Sequence, residues 1–160
     1  MKKFNNILLA VSLLTLSGVA SAVQISGTIK FGGDLTFDFT RNSVDILGND
    51  AIVTAAPSGD FATYASAGDT AVYNDFTYDP FSAVAPLWTI GGFSFNLNSI
   101  SSVSEVTISG HQYLSLAGNG VFSGNGFDAT SGSWTFSADG GNGNFAFSST
   151  NIPEPGVALL

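Results

Sequence analysis

The sequence predicts an all-β fold, an antiparallel β-sandwich or jelly roll of about nine or ten short strands. Three observations predict it. Apolar and polar residues alternate with the period of two that a half-buried strand requires, most clearly over residues 23–40. Clusters of Gly, Asn and Asp punctuate the chain at short intervals, and these are the residues that tight turns demand. No window after residue 22 sustains a 3.6-residue apolar period, so no helix is expected there. A right-handed parallel β-solenoid is the competing architecture, because Gly118-Asn119-Gly120, Gly124-Asn125-Gly126 and Gly141-Asn142-Gly143 recur. Their spacings are six and then seventeen residues. That is no fixed period, which favours turns of successive hairpins.

The chain opens with Lys2 and Lys3, an apolar run over residues 7–16, and the small residues Ser17, Gly18, Ala20, Ser21 and Ala22. Ala20 and Ala22 form an A-x-A box. Residues 1–22 therefore read as a secretory signal peptide that signal peptidase cuts before Val23. The apolar run is shorter than the roughly 20 residues a spanning helix needs. Of 160 residues, that leaves 23–150 for one β domain and 151–160 for a tail.

Within the domain, residues 23–40 predict a β-hairpin turning at Gly32-Gly33, with Val23, Ile25, Ile29, Phe31, Leu35, Phe37 and Phe39 on one face. Residues 44–54 predict one or two short strands broken near Gly48-Asn49-Asp50. Residues 55–70, rich in Ala, Ser, Gly and Asp, predict the longest irregular connection, one that crosses between sheets. Residues 72–78 resume strand character until Asp79-Pro80. The densest apolar stretch, residues 86–97, predicts a central strand whose phase slips by one residue at Gly91-Gly92, as a bulge or bend between layers requires. Further strands are expected over 103–108, 111–117, 121–122, 133–138 and 144–148.

Composition narrows the chemistry. After the leader is removed, Lys30 and Arg41 alone face twelve acids, two cations against twelve anions, for a formal charge of −10. A nucleic-acid partner needs cations to displace counterions from phosphates, so that class is excluded, and anionic headgroups are disfavoured for the same reason. With no Cys, neither disulfides nor thiolate chemistry are available, and stability must come from a core rich in the 14 Phe, two Trp and four Tyr. The single histidine, His111, precludes sites built on paired imidazoles, and no G-x-S-x-G element positions a serine nucleophile. Its expected place is structural or at the surface.

The tract Asp139-Gly140-Gly141-Asn142-Gly143-Asn144 resembles one calcium-binding glycine repeat, but Phe145 stands where the next Asp belongs. It reads as a turn, with calcium as the one ion its oxygens suit. Asp75 and Asp79 lie beside Tyr73 and Tyr78. On an extended strand positions four apart are separated by about 13 Å, beyond the roughly 5–9.5 Å of a glycosidase pair. Exposed Tyr73, Tyr78 or Trp134 would instead suit a carbohydrate-binding module, the alternative functional class.

The tail runs Asn151-Ile152-Pro153-Glu154-Pro155-Gly156-Val157-Ala158-Leu159-Leu160. Taken with the leader and a Cys-free, Gly/Ser/Asn/Phe-rich β domain, Pro153-Glu154-Pro155 resembles the sorting motif of the PEP-CTERM proteins of exopolysaccharide-producing bacteria. The resemblance implies processing by an exosortase and a place at the cell surface or outer membrane, or in the extracellular matrix of a biofilm. Family members carry a transmembrane helix and a basic cluster after the motif. Here only residues 157–160 follow Gly156, so the expectation is a signal truncated after Leu160 or a released protein. The expected function is that of an exported, acidic, non-enzymatic β protein associated with exopolysaccharide, with no cofactor.

Overall fold

The structure, a computed structural model, describes residues 23–139. Strands dominate because β-branched and aromatic residues alternate with Ser, Thr and Asn along nearly every segment. Seven strands form the larger sheet: β1 (Phe31–Gly32), β4 (Asp50–Val53), β5 (Thr70–Tyr73), β7 (Val84–Ile90), β8 (Phe93–Ile108), β9 (His111–Gly124) and β10 (Phe127–Asp139). Their order is β1-β4-β5-β7-β8-β9-β10. The smaller sheet is β2 (Leu35–Asp38), β3 (Ser43–Ile46) and β6 (Phe76–Thr77), in the order β2-β3-β6. All strand pairs are antiparallel. Among the described residues there is no α-helix, only 3-10 turns at Leu47–Asn49 and Gly59–Thr63. The all-β, sandwich-like class expected from the sequence is what forms. The antiparallel ladders exclude a parallel solenoid for this part of the chain.

The larger sheet curls towards a ring. Val23 O accepts from the Asp128 N–H at 3.1 Å, and the Ile25 N–H donates to Thr130 Oγ1 at 2.9 Å, so the segment starts beside β10. It then runs along residues 54–60, where Asp60 N–H donates to Ser26 O, Ser58 N–H to Thr28 O and Thr54 N–H to Lys30 O. It ends as β1 on β4. One segment thus links the two ends of the strand order.

The enclosed core is aromatic. Trp88 stacks on Phe95 with centroids 5.8 Å apart, and Phe95 meets Phe122 at 4.5 Å. Phe61, projecting from the second 3-10 turn, reaches Phe93 at 4.9 Å and Phe122 at 5.7 Å. A second group joins Phe76, Trp134 and Phe136. Burial of each such ring contributes about 1.5–3 kcal/mol, which lets a disulfide-free chain of this size hold together.

Several local expectations are corrected. Residues 23–40 are not a hairpin: β1 pairs with β4 and β2 with β3, in different sheets. Gly32 and Gly33 take no positive φ, so they make no primed turn, and the chain passes there from one layer to the other. The face expected to be buried is nonetheless buried at Ile25, Ile29, Phe31 and Leu35. Conversely, residues 86–97 are not one bent strand. Gly91 and Gly92, at φ 54° and 82°, form the tight turn of the β7–β8 hairpin, with Ile90 opposite Phe93.

Residues 72–78 divide into β5 and β6 in separate sheets. The connection over 55–70 joins neighbours β4 and β5 instead of crossing layers. The break at Gly48-Asn49-Asp50 falls as expected, where β3 of one sheet gives way to β4 of the other. Gly124-Asn125-Gly126 is a turn, with Asn125 and Gly126 at φ 53° and 80°. Gly118-Asn119-Gly120 is not one. It lies inside β9, where a Cβ on Gly118 would run into the Ser99 carbonyl oxygen and one on Gly120 into the Asn96 carbonyl oxygen and Phe95 Cζ. These glycines let the β8 backbone and the Phe95 ring approach closely. Hence the expected short C-terminal strands merge into β8, β9 and β10, of 16, 14 and 13 residues. The strand expected at 144–148 lies outside the described residues.

Candidate functional site

The residues expected to form a sugar platform are inside the protein. Tyr73, Tyr78 and Trp134 are 0 %, 2 % and 2 % exposed. Tyr73 Oη accepts from Trp134 Nε1 at 3.4 Å, and burial pushes its phenol well above the ordinary value. The Tyr78 hydroxyl donates to Glu105 Oε1 at 2.7 Å. Its pKa is also raised, first by burial, then by the Glu105 bond and charge, then by the charges of Asp38 and Asp79. None of these rings presents a face to a ligand.

The acids beside them have backbone duties. Asp75 Oδ1 accepts from the Ile46 N–H at 2.8 Å, pinning β3 to the β5–β6 connection. The Asp79 carbonyl accepts from Asn42 Nδ2 at 2.8 Å. His111 is exposed at the start of β9, as expected. Asp139 is exposed at the end of β10, whereas Asn142 and Asn144 lie outside the described residues. Among the described residues no three His, Cys, Asp or Glu side chains are grouped to hold a metal. The sorting motif Pro153, Glu154 and Pro155 and the cleavage-box residues Ala20 and Ala22 also lie outside. Val23 is described and is 65 % exposed.

Two open grooves flank β3. One, of about 420 Å³, is lined by Val44, Asp75, Phe76, Thr77, Ser82 and Val84, among others. The other, of about 400 Å³, is lined by Phe37, Asp38, Phe39, Arg41, Asp45 and Gln112, with Thr and Ser side chains between them. Sequence reasoning did not single this groove out. Phe37 and Phe39 are half-buried and stack with centroids 5.2 Å apart, and Asp38 Oδ1 accepts from the Thr40 N–H at 2.7 Å. Arg41 Nε lies 3.6 Å from Asp38 Oδ2. The signal was legible as Phe-Asp-Phe-Thr-Arg, an aromatic pair around an acid followed by an arginine. Chemically the groove offers hydrogen bonds, the carboxylates of Asp38 and Asp45, and an apolar contact.

No protein-family model, curated protein or solved structure matches the chain.

Proposed function

We propose that this chain is an exported, non-enzymatic β protein of the cell surface or extracellular matrix, held in association with exopolysaccharide. The observation that carries the reading is the leader pattern of residues 1–22, with its basic start, apolar centre and Ala20-x-Ala22 box. Three further features support it: the strongly acidic, Cys-free composition, the Pro153-Glu154-Pro155 motif, and the use of Tyr73, Tyr78 and Trp134 as packing elements. The partners are signal peptidase, an exosortase-type processing enzyme and exopolysaccharide.

Expression in an exopolysaccharide-producing host tests it. The exported protein should begin Val-Gln-Ile-Ser, and in a chain extended after Leu160 by an apolar helix and an Arg-rich tail, replacing Pro153, Glu154 and Pro155 by Ala should block processing so that the precursor accumulates. An intact Met1 in the exported pool, or identical processing of the two extended forms, sinks the proposal.

Carbohydrate binding is the second reading, favoured by the Phe37–Phe39 groove. Polysaccharide retention that is lost in Phe39→Ala and Arg41→Ala would promote it over a purely structural role.

A further inference from the structure

The pairing of β7 with β8 ends at Val84 opposite Leu97, so from Asn98 to Ile108 β8 is bonded to β9 alone. Eleven residues of a long strand therefore stand at an open edge among the described residues. Natural edges are blunted by Lys, Pro, inward charges or bulges. Here two irregularities, between Leu97 and Ser99 and between Ile100 and Ser102, interrupt the first part. From Ser102 to Ile108 the ladder is regular, and the segment Ser-Val-Ser-Glu-Val-Thr-Ile carries no Lys, no Arg, no Pro and one acid. The apolar exposure is concentrated here too. Of the nine exposed large apolar residues described, Val103, Val106, Ile108 and Tyr113 all belong to this hairpin.

The direction of the free backbone groups follows from the turn. Ser109 and Gly110, at φ 51° and 83°, form a two-residue primed turn closed by Ile108 opposite His111. The closing pair of such a hairpin exchanges both of its hydrogen bonds, and alternate residues do likewise. Ser104, Val106 and Ile108 thus bond to β9, whereas Val103, Glu105 and Thr107 aim N–H and C=O outward.

We infer that this edge pairs antiparallel with the same edge of a second copy, about a two-fold axis through Val106. The edge is its own complement in that register. Glu105 and Thr107 of one copy exchange backbone bonds with Thr107 and Glu105 of the other, so the two carboxylates do not face each other. The register two residues shorter, which sets Glu105 against its counterpart, is disfavoured by like charge. Val106 lies opposite Tyr113 within each copy, so the dimer carries a continuous row Tyr113–Val106–Val106–Tyr113 across four strands, an aromatic and β-branched ladder. Side chains at Val106 meet as a non-hydrogen-bonded pair, the closer of the two spacings. The contact is isologous and closes at two copies.

The test exploits the absence of cysteine. Val106→Cys carries a single thiol, and on mild oxidation it should yield a disulfide-linked dimer, while Ser104→Cys, which faces Ile108 of the second copy, should not. Light scattering of the purified unmodified protein should show a monomer–dimer equilibrium that tightens with added salt, since two acidic copies repel at low ionic strength. Thr107→Pro removes an outward N–H that no bond within the chain uses, and it should abolish the dimer while leaving the melting temperature of the dilute monomer unchanged. Should that variant fail to fold, the cysteine pair decides alone. A protein that stays monomeric at all concentrations, crosslinks equally at 104 and 106, or dimerises unimpaired with a folded Thr107→Pro chain overturns the inference.

Discussion

The backbone N–H of Ile25 donates to Thr130 Oγ1 at 2.9 Å across 105 residues of sequence. The same hydroxyl donates to the Asp128 carbonyl at 2.9 Å, so a side chain only 2 % exposed has both its donor and an acceptor in use. Thr130→Val keeps the shape but strands the Ile25 N–H, at a cost of about 1–3 kcal/mol. Thr130→Ser keeps both bonds and should remain close to the unmodified protein. Urea unfolding with an unchanged m-value measures the difference, and equal midpoints for the two variants would show that the bond contributes nothing.

Ring accommodation gives a second expectation. A Cβ on Gly132 would overlap the Phe122 ring at Cε2, and one on Gly120 would overlap the Asn96 carbonyl oxygen as well as Phe95 Cζ. Gly132→Ala and Gly120→Ala should each destabilise by about 1–3 kcal/mol through overpacking. Because the clash is with a ring, the cost of Gly132→Ala should fall in a Phe122→Leu background. A double-mutant cycle with no coupling would place the cause in the backbone instead.

Base sensitivity follows from Tyr73 and Tyr78. Burial raises both phenols above the ordinary value of about 10. Above that pH the unfolded chain releases these protons and the folded chain holds them. Stability linked to the two groups is therefore constant below about pH 10 and falls as pH rises beyond it. Melting temperatures should decline on the alkaline side, and a Tyr78→Phe chain should show a shallower decline. An equally steep alkaline limb in that variant would assign the effect elsewhere.

Chelation is a fourth case. With one histidine and no cysteine in the sequence, EDTA is expected to leave the melting temperature unchanged. A fall of many degrees would point to calcium at oxygens around Asp139.

How far the sequence revealed this fold depends on which physical signal each feature leaves. Alternation reports the face of a strand that is buried, and it located Ile25, Ile29, Phe31 and Leu35 in the core. It carries no information about the neighbouring strand, so β1 and β2 looked like partners when they belong to different sheets. Gly32-Gly33 and Gly91-Gly92 are the same dipeptide between apolar runs, yet only the second adopts positive φ. Tertiary packing makes that choice. The same limit hid the exposure of the aromatics: Trp134 and Tyr78 are polar enough for a binding surface, and only the positions of Tyr73 and Glu105 in space show why they are buried. The groove at Phe37 and Phe39 likewise depends on Gln112 arriving from β9.

The bond between residues 25 and 130 also sets an order of events. A chain delivered from its N-terminus, by a ribosome or through an export channel, presents its first strand-forming segment long before the strand that holds it. The Ile25 N–H finds its partner hydroxyl only once β10 has emerged, whereas β7 to β10 pair as hairpins of near neighbours in sequence. Ring closure rests on a contact 105 residues apart, the non-local kind that slows folding. A chain stopped short of residue 130 would leave the seam unstitched, with residues 23–25 and the β9 edge exposed to any passing strand.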